Sequence, residues 1–412
     1  MSAGPGAKTM LTAAWVAPMD RPIIRDGAVV FEGGRVVDVG WETALRWLYP
    51  DARVEAIGAA VLLPGLVNAH THLELSDCAA VPRPKEFIDW IRVVAAGRRD
   101  SNRGPFADGV RQCLRFGVTS VGDINQRAEE GRAALANSPL RCVSYGEVIG
   151  LAKFRSKFES LLPKAIDPAG ASERVRVGLS PHAPYTVDLP GYQQCLRLAR
   201  ERRLPLATHL AEQPYERDFL ERHDGPFRRL LNELGLFAEP VETFRGGPIE
   251  FAHSIGLLDY PTLLAHVNYC DDEELDLLAR GRASVVYCPR THAYFGHPPH
   301  RWRDMLARGI NVAVGTDSCA SSPDLNLVNE LRLIHRIAPE ITCQNLWEMA
   351  TTRAARAIEA DDAGRLAPGT FADVVAFAVR SDDPLREVLE TQALPIGVWI
   401  AEERVTTGSP QE

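Results

Sequence analysis

Two histidines one residue apart, His70 and His72, directly follow an apolar run at residues 59–63 and the segment Pro-Gly-Leu-Val-Asn-Ala. Side chains at positions i and i+2 of a strand point to the same side, so both imidazoles can bind one metal ion. A chain with 11 histidines can also contain such a pair by chance. The pair therefore predicts a metal site only if further ligands join it.

Further polar side chains fall where later apolar segments end. His209 and His266 lie in the last positions of two such segments, and Asp317 follows a third one after Gly315 and Thr316. Imidazole nitrogens together with a carboxylate oxygen form a ligand set suited to zinc or ferrous iron. These residues are candidate ligands if the fold brings the segment ends together.

The apolar segments that must position these candidate ligands alternate with longer amphipathic stretches. This alternation is typical of βα units and a parallel sheet. The predicted strands cover residues 62–69, 118–123, 142–148, 175–180, 205–209, 263–267, 284–288 and 311–315. Eight strands over about 250 residues predict a (β/α)8 barrel, whose active sites lie at the carboxyl ends of its strands. Helices are predicted at residues 190–202, 271–279 and 325–337, among others, with Asp188 and Asp271 as N-caps of the first two.

The two ends of the chain predict a second, smaller sheet. Short strands between Gly-rich turns, such as residues 27–31 and 35–39, precede residue 64, and strand patterns return at residues 372–377 and 396–400. We therefore predict a composite β domain from residues 1–63 and 364–412, and a catalytic barrel domain from residues 64–363.

With these motifs the chain resembles the amidohydrolase superfamily, in the branch that contains cytosine, guanine and adenosine-type deaminases and triazine hydrolases. The resemblance rests on residues 64–72, on the His-Leu-Ala-Glu segment 209–212, on residues 264–266 and 315–317, and on the late turn at residues 364–373. It implies a TIM barrel with a small composite β-sandwich domain formed by both termini.

The resemblance also implies roles for individual residues. His70, His72, His209 and Asp317 would bind the metal, Asp317 would also accept a proton from water, and Glu212 would move a proton to a ring nitrogen. His266 would hydrogen-bond the attacking hydroxide or the tetrahedral centre. Binuclear relatives add a carboxylated lysine after the fourth strand, where residues 174–180 contain none. We therefore expect one divalent metal ion per chain, Zn²⁺ or alternatively Fe²⁺.

Each role has a structural alternative. Glu212 could be a solvated glutamate at the start of a helix, and His266 could be a core histidine. Candidate substrate contacts are less sharply defined, because each has a plain structural interpretation as loop, core or surface residue. They are His182 in a Pro-fixed loop, Glu74 and Trp90 in the segment after the first strand, and Arg290 and His292 after the seventh strand, where relatives often carry Asn in place of His292.

The predicted reaction is the hydrolytic deamination of an aromatic amidine, such as the purine nucleoside derivative aminodeoxyfutalosine, or of a guanine or pterin ring. A chlorohydrolase or cyclic-amide hydrolase on the same scaffold is the alternative among enzymes. A non-catalytic binding module is the alternative from another class, and it would be expected to have lost ligands, whereas this sequence keeps the full set.

The composition of the chain argues against two classes of partner, nucleic acids and membranes. The net charge of −8 argues against a nucleic-acid or anionic-membrane surface, and the sequence has no apolar run of about eighteen residues. The eight cysteines are scattered without a C-x-x-C motif, as in reduced cytosolic proteins. We expect a cytoplasmic protein that acts on a small heteroaromatic molecule, and the resemblance implies a homodimer.

Overall fold

The computed structural model describes residues 7–78, 81–100, 104–151, 155–237 and 241–405. Fifteen strands within these ranges form two sheets. In chain order they are β1 (Thr9–Val16), β2 (Ile24–Glu32), β3 (Arg35–Trp41), β4 (Arg53–Pro64), β5 (Leu66–Thr71), β6 (Val118–Asn125), β7 (Arg141–Val148), β8 (Val175–Pro181), β9 (Leu206–Leu210), β10 (Thr262–His266), β11 (Ser284–Tyr287), β12 (Asn311–Val314), β13 (Val374–Ala378), β14 (Pro395–Ile400) and β15 (Glu403–Arg404).

Strands β5 to β12 form one parallel sheet in the order of the sequence. The sheet closes on itself where Thr71, the last residue of β5, bridges Asp317 after β12. At this seam the amide of Asp317 donates to the carbonyl of His70 at 3.1 Å, and the Asn68 side chain donates to Thr316 Oγ1 at 2.7 Å. All eight predicted strands are present, and the barrel prediction is confirmed.

The first helix packs on the composite sheet formed by the termini, and the later helices fill most connections between the barrel strands. In chain order the helices are α1 (Glu42–Leu48), α2 (Phe87–Asp100), α3 (Pro105–Arg115), α4 (Ala128–Ala136), α5 (Arg155–Ala165), α6 (Leu189–Arg202), α7 (Glu216–Arg222), α8 (Pro226–Glu233), α9 (Pro248–Ser254), α10 (Asp272–Arg280), α11 (Pro289–Phe295), α12 (Trp302–Ala307), α13 (Leu327–Ile337), α14 (Cys343–Met349), α15 (Thr352–Ala357) and α16 (Pro384–Glu390). Within the described ranges, no helix is both long enough and apolar enough to cross a bilayer.

The two predicted N-caps hold their helices as expected. The Asp188 side chain accepts from the amide of Gly191 at 2.9 Å at the start of α6. At α10 the Asp271 side chain accepts from the amide of Glu274 at 2.9 Å, and the Glu274 carboxylate accepts from the amide of Asp271 at 3.0 Å. This reciprocal pair is a capping box, which satisfies two amides that the helix itself cannot pair.

Both termini contribute to the second sheet, as predicted. Its strand order is β15-β14-β13-β4-β1-β2-β3, with β1 and β4 parallel and the other neighbours antiparallel. The predicted strand at residues 62–69 is divided between the two sheets, since β4 ends at Pro64 and β5 begins at Leu66. Gly65 lies at this crossing, and its amide donates to the carbonyl of Asp373 at 2.9 Å.

The composite sheet is fastened to the amino-terminal face of the barrel. Arg141, at the start of β7, pairs with Asp373 at 2.7 Å, and its guanidinium lies 3.5 Å from the centre of the Phe371 ring. A cavity of about 310 Å³ lies beside these residues and is also lined by Arg174, Arg176 and Glu359. The candidate ligands lie at the opposite ends of the strands, so this cavity is not part of their site.

Candidate active site

The carboxyl ends of the barrel strands bring the predicted ligands together. His70 lies within β5 and His72 follows it, His209 lies in β9, His266 ends β10, and Asp317 lies three residues after β12. Each is at most 7% exposed. Ring centroids of His70 lie 4.9 Å from His72, 5.1 Å from His209 and 5.4 Å from His266. Four imidazoles and one carboxylate therefore share one buried cluster.

Gly315 allows β12 to approach β5 closely enough for this cluster to form. A Cβ atom at this position would lie 2.7 Å from the carbonyl oxygen of His70, 2.8 Å from its Cβ and 2.9 Å from its nitrogen. Two of these three atoms belong to the backbone of a buried strand, which cannot rotate away. A side chain at position 315 would therefore displace His70.

Several residues at the strand ends have left-handed backbone conformations, which residues other than glycine rarely adopt. The φ angles are +51° at Ala211, +73° at His266, +51° at Val267 and +55° at Asp317. Such conformations cost roughly 1–3 kcal/mol each and persist only where the surroundings hold them. Three of the four lie in the turns that carry His266 and Asp317, so both turns have strained backbones.

The hydrogen bonds of His72 and His209 determine which ring nitrogen carries the proton. His72 Nδ1 lies 2.8 Å from the carbonyl of Ile124, and His209 Nδ1 lies 3.2 Å from the carbonyl of His182. A carbonyl only accepts, so each Nδ1 donates and each neutral ring keeps an unprotonated Nε2. These two Nε2 atoms face each other at 3.3 Å. Two lone pairs at this distance repel unless a cation lies between them.

His70 and Asp317 complete the group. Both ring nitrogens of His70 are buried and lack a hydrogen-bond partner. Asp317 Oδ1 lies 3.7 Å from His70 Nε2 and 3.6 Å from His72 Nε2, while the Ser321 hydroxyl donates to Asp317 Oδ2 at 3.3 Å. A buried ring with no partner is costly in a closed core. A metal ion held by His70, His72, His209 and Asp317 would give one nitrogen of this ring a partner.

The protonation states also suit a metal site. Burial lowers the pKa of His209 well below its usual value, and the neighbouring His182 and His70 lower it further. Burial raises the pKa of Asp317, but this effect is outweighed by the His70 ring and the field of His266, so the net shift is downward. Neutral imidazoles and an ionised carboxylate are the forms that bind divalent metals.

Glu212 follows β9 and is 5% exposed, so it is not a solvated glutamate at a helix end. Its Oε1 lies 3.7 Å from Nε2 of His266. Burial raises the pKa of Glu212 well above its usual value, and the charges of Asp317 and Glu216 raise it further. Burial also lowers the pKa of His266 to about 3. Both shifts favour the uncharged forms, a carboxyl group at Glu212 and a neutral imidazole at His266.

His182 lies beside the cluster, with its ring centroid 4.9 Å from that of His209. Its Nδ1 lies 2.7 Å from Thr186 Oγ1, and the Thr186 hydroxyl donates to the carbonyl of Ala183. Nδ1 therefore carries a proton, and Nε2 points towards Oε1 of Glu147 at 3.9 Å. Glu147 is 2% exposed at the end of β7, and its other oxygen accepts from the Gln126 side chain at 2.7 Å.

Glu74 and Trp90 lie at the edge of this arrangement. Glu74 is buried, and its carboxylate accepts from the amide of Gln126 at 3.3 Å. The Trp90 indole donates to the carbonyl of Ala320, three residues after Asp317, at 3.2 Å. Its ring stacks on Phe87 and meets Phe295 edge to face. Trp90 is thus part of an aromatic wall beside the loop that carries Asp317.

Arg290 is not brought to the cluster. Its guanidinium pairs with Glu330 at 2.5 Å and with Asp324 at 2.6 Å, and it also donates to the Asp324 carbonyl. Contrary to the prediction of a substrate contact, these hydrogen bonds direct the guanidinium at two acidic side chains of the protein. Arg290 braces the start of α11 against α13.

His292 and the histidines after it form a separate group. His292 Nε2 lies 2.9 Å from the carbonyl of Pro298, and His297 Nδ1 lies 3.0 Å from the Tyr269 hydroxyl. His300 Nε2 lies 2.8 Å from the carbonyl of His266. Within the described ranges, none of these three rings belongs to a group spaced to bind a metal. His300 supports the backbone of His266 instead.

Two acidic residues of the site were not predicted. Glu147 ends a predicted strand, so the rule that barrel chemistry lies at strand ends could have identified it. Glu216 accepts three backbone hydrogen bonds from residues 211–213. Its position at the start of α7 gave it the appearance of an ordinary first-turn glutamate.

Comparisons with known proteins agree with this architecture. The amidohydrolase family model matches residues 61–401. The 5-methylthioadenosine/S-adenosylhomocysteine deaminase of Nitratidesulfovibrio vulgaris is 30% identical over 389 residues, covering 89% of this chain and 83% of that protein. The aminodeoxyfutalosine deaminase of Deinococcus radiodurans is 31% identical over 331 residues, covering 76% of this chain and 77% of that protein.

A solved structure shares the same fold. Helicobacter pylori aminofutalosine deaminase in complex with methylthio-coformycin superposes with a TM-score of 0.87 at 22% identity, and the match covers 97% of this chain and 100% of that chain.

Proposed function

The chain belongs to the amidohydrolase family, and we propose that it is a metal-dependent deaminase of a purine-type nucleoside. The relatives of about 30% identity bear the names of deaminases acting on adenosine derivatives. The cluster at the strand ends keeps every residue type that hydrolytic deamination requires. Two observations therefore support the proposal: the family of the chain and the geometry of its own site.

One observation carries the metal part of the proposal. The Nε2 atoms of His72 and His209 lie 3.3 Å apart with their lone pairs facing. Two nitrogens that each lie about 2.0–2.1 Å from a tetrahedral zinc ion are separated by about 3.3–3.4 Å. His70, which lacks partners on both ring nitrogens, and Asp317 would supply the other two ligands.

We propose Zn²⁺ as the metal, with Fe²⁺ as the alternative, because three imidazoles and one carboxylate suit both ions. One ion per chain is proposed, since β8 ends without a lysine. When bound, the metal would lower the pKa of a water molecule and make it nucleophilic near neutral pH.

The chain's own side chains then handle the protons. Asp317 is ionised and accepts the proton that the attacking water loses. Glu212, whose raised pKa favours the protonated form, gives its proton to the ring nitrogen next to the amino-bearing carbon, which makes that carbon electrophilic. His266 lies 3.7 Å from Glu212 and hydrogen-bonds the oxygen that adds to the ring. Asp317 then passes its proton to the amino group, which leaves as ammonia, and Glu212 regains a proton from the added hydroxyl as the ring carbonyl forms.

The substrate ring would be held between the two sides of the site. His182 presents Nε2 towards the same space as His209, with Glu147 behind it. Trp90 and Phe295 form an aromatic wall on the other side, which suits a flat heteroaromatic ring. His292 would contribute only to the outer part of this wall.

A reducing compartment, such as the cytoplasm, is proposed from the cysteines. All eight are free thiols, and six of them are buried. Burial raises the pKa of several, for example that of Cys319 to about 11, so they remain protonated and unreactive.

The function is tested with purified protein loaded with Zn²⁺ and incubated with a panel of 6-aminopurine nucleosides that differ in their 5′ substituents. Conversion to the 6-oxo product, followed by ultraviolet absorbance, is expected for at least one of them and should disappear after chelation. Dechlorination of a chlorotriazine or opening of a cyclic amide, with no deamination of any nucleoside, would support the alternative hydrolases. A protein that binds no metal would contradict the proposal.

A further inference from the structure

We propose that Glu216 is a positioning residue for the reaction: its carboxylate fixes the loop at residues 210–213 so that Glu212 meets His266. This inference rests on the proposed function, because it assigns Glu216 to the placement of the proton donor. Glu216 is the first residue of α7, and its side chain turns back towards the preceding loop. It is 1% exposed.

The Glu216 carboxylate binds three consecutive amides. Oε2 accepts from the amide of Ala211 at 2.9 Å, and Oε1 accepts from the amides of Glu212 at 2.7 Å and Gln213 at 2.9 Å. No hydrogen bond of a helix or strand could pair these amides, because β9 ends at Leu210 and α7 begins only at Glu216. One buried side chain thus satisfies the donors of the whole loop.

The carbonyl groups of the same loop are bound from the other side. The amide of Val267 donates to Leu210 at 3.0 Å, and the amide of Tyr269 donates to Ala211 at 3.1 Å. The side chain of Asn268 donates to the carbonyl of Glu212 at 3.2 Å. These three donors belong to the turn that immediately follows His266. The loop that carries Glu212 is therefore tied to the turn that carries His266.

Both segments have strained backbones that need such support. Ala211 lies at a φ of +51°, and His266 and Val267 lie at +73° and +51°. Without the amide contacts to Glu216, Ala211 would be free to return to an ordinary conformation. The peptide that follows it would then rotate and move the Glu212 carboxyl group away from His266.

The chemistry of the contact requires a carboxylate. All three partners are N–H donors, so both oxygens at position 216 must accept. Glutamine would keep one accepting oxygen but would direct an NH₂ group at an amide. Aspartate keeps two oxygens but is one methylene shorter, so it would reach only part of the loop.

The experiment uses the metal-loaded full-length protein as Glu216→Gln and Glu216→Asp variants, with Glu221→Gln as the matched control. Glu221 lies on the same helix but pairs with Arg217 and Arg222 at the surface. The readouts are amide hydrogen exchange of residues 211–213, bound metal per chain, and kcat and KM for the nucleoside that the protein deaminates.

We expect Glu216→Gln to speed exchange at residues 211–213, to keep one metal per chain, and to lower kcat about 10–100-fold with little change in KM, since small misplacement of a catalytic group is costly. Glu216→Asp should recover part of kcat, and Glu221→Gln should match the wild type. Asn268→Ala removes the hydrogen bond to the carbonyl of Glu212 and should also lower kcat. This variant supplies the test if Glu216→Gln does not fold.

Unchanged exchange at residues 211–213 would overturn the proposal, as would faster exchange with an unchanged kcat. A loss of kcat that accompanies loss of the metal would also overturn it, because Glu216 would then support the metal ligands. If the wild type deaminates no nucleoside, the proposed function fails by itself, and the exchange data alone then decide whether Glu216 fixes the loop.

Discussion

Replacing Gly315 by alanine should weaken both the barrel and the metal site, because this residue lies against His70. The added Cβ would approach three atoms of His70 to 2.7–2.9 Å, which is about 0.5–0.7 Å inside the 3.4 Å at which ordinary contact begins. The backbone nitrogen and carbonyl oxygen belong to buried strand β5, so relief requires the two strands to separate.

Overpacking of this kind costs about 1–3 kcal/mol. For a chain of this size that cost corresponds to a fall in Tm of roughly 1–5 °C. Displacement of His70 by about half an ångström exceeds the tolerance of about 0.2 Å for a metal ligand. We therefore expect metal affinity to fall about 10–100-fold, as it does when the support of a ligand is lost.

The assay compares Gly315→Ala with Gly40→Ala, whose new Cβ would meet only the Leu45 side chain at 3.8–3.9 Å. Thermal unfolding is measured with and without metal, and affinity is measured by competition with a chromophoric chelator. Gly40→Ala should behave like the wild type in both. If Gly315→Ala also keeps the wild-type Tm and metal affinity, the reasoning that the β5–β12 seam sets the His70 position is refuted.

Three further predictions follow from the site and its surroundings. Glu212→Gln should lower kcat about 10²–10⁴-fold while bound metal, measured by atomic absorption, stays at one ion per chain; loss of the metal would contradict a role in proton transfer. Arg290→Met leaves the fully buried Glu330 without its partner, so it should lower the free energy of unfolding by about 3–5 kcal/mol, as judged by urea unfolding, with KM unchanged; a large rise in KM would restore Arg290 as a substrate contact. Burial raises the pKa of Asp123 from 3.8 to about 7, so the folded protein holds a proton that the unfolded chain releases, and the free energy of unfolding should fall as the pH rises from about 4 to about 7. Asp123→Asn should flatten that fall, and an equal slope in both proteins would exclude Asp123 as its source.

The barrel and the clustering of the candidate ligands could be predicted because they depend on short-range patterns. Apolar segments of strand length ended in His209, His266 or near Asp317, and parallel strands in a barrel bring such ends to one face. The family match confirms the predicted superfamily, and the solved structure confirms the fold. The relatives named as deaminases support the proposed deamination. The domain boundaries, the homodimer and the cytoplasmic location stay predictions.

Other features could not be obtained from patterns, because they depend on contacts between distant residues. Arg290 was a plausible anion-binding residue until the fold placed Asp324 and Glu330 around it. The apolar run at residues 62–69 gave no sign that the chain passes from one sheet to the other at Gly65. Trp90 could be assigned neither to a core nor to a substrate wall until its partners in the loop after β12 were known.

Glu216 shows a different limit. It lies only three to five residues from the amides that it binds, so distance along the chain did not conceal it. Acidic residues are common in the first turn of a helix because they favour the helix dipole. The sequence alone does not distinguish such a residue from one whose side chain turns back to hold a loop.

In the proposed reaction, the cluster of His70, His72, His209 and Asp317 uses a metal to add water to a purine ring with loss of ammonia. The most direct measurement is turnover of a 6-aminopurine nucleoside by metal-loaded protein in oxygen-18 water. We predict one ammonia released per nucleoside, one oxygen-18 atom at the exocyclic 6-oxo position of the product, and no turnover after metal removal. Turnover that survives metal removal, or a product formed without release of ammonia, would contradict the account.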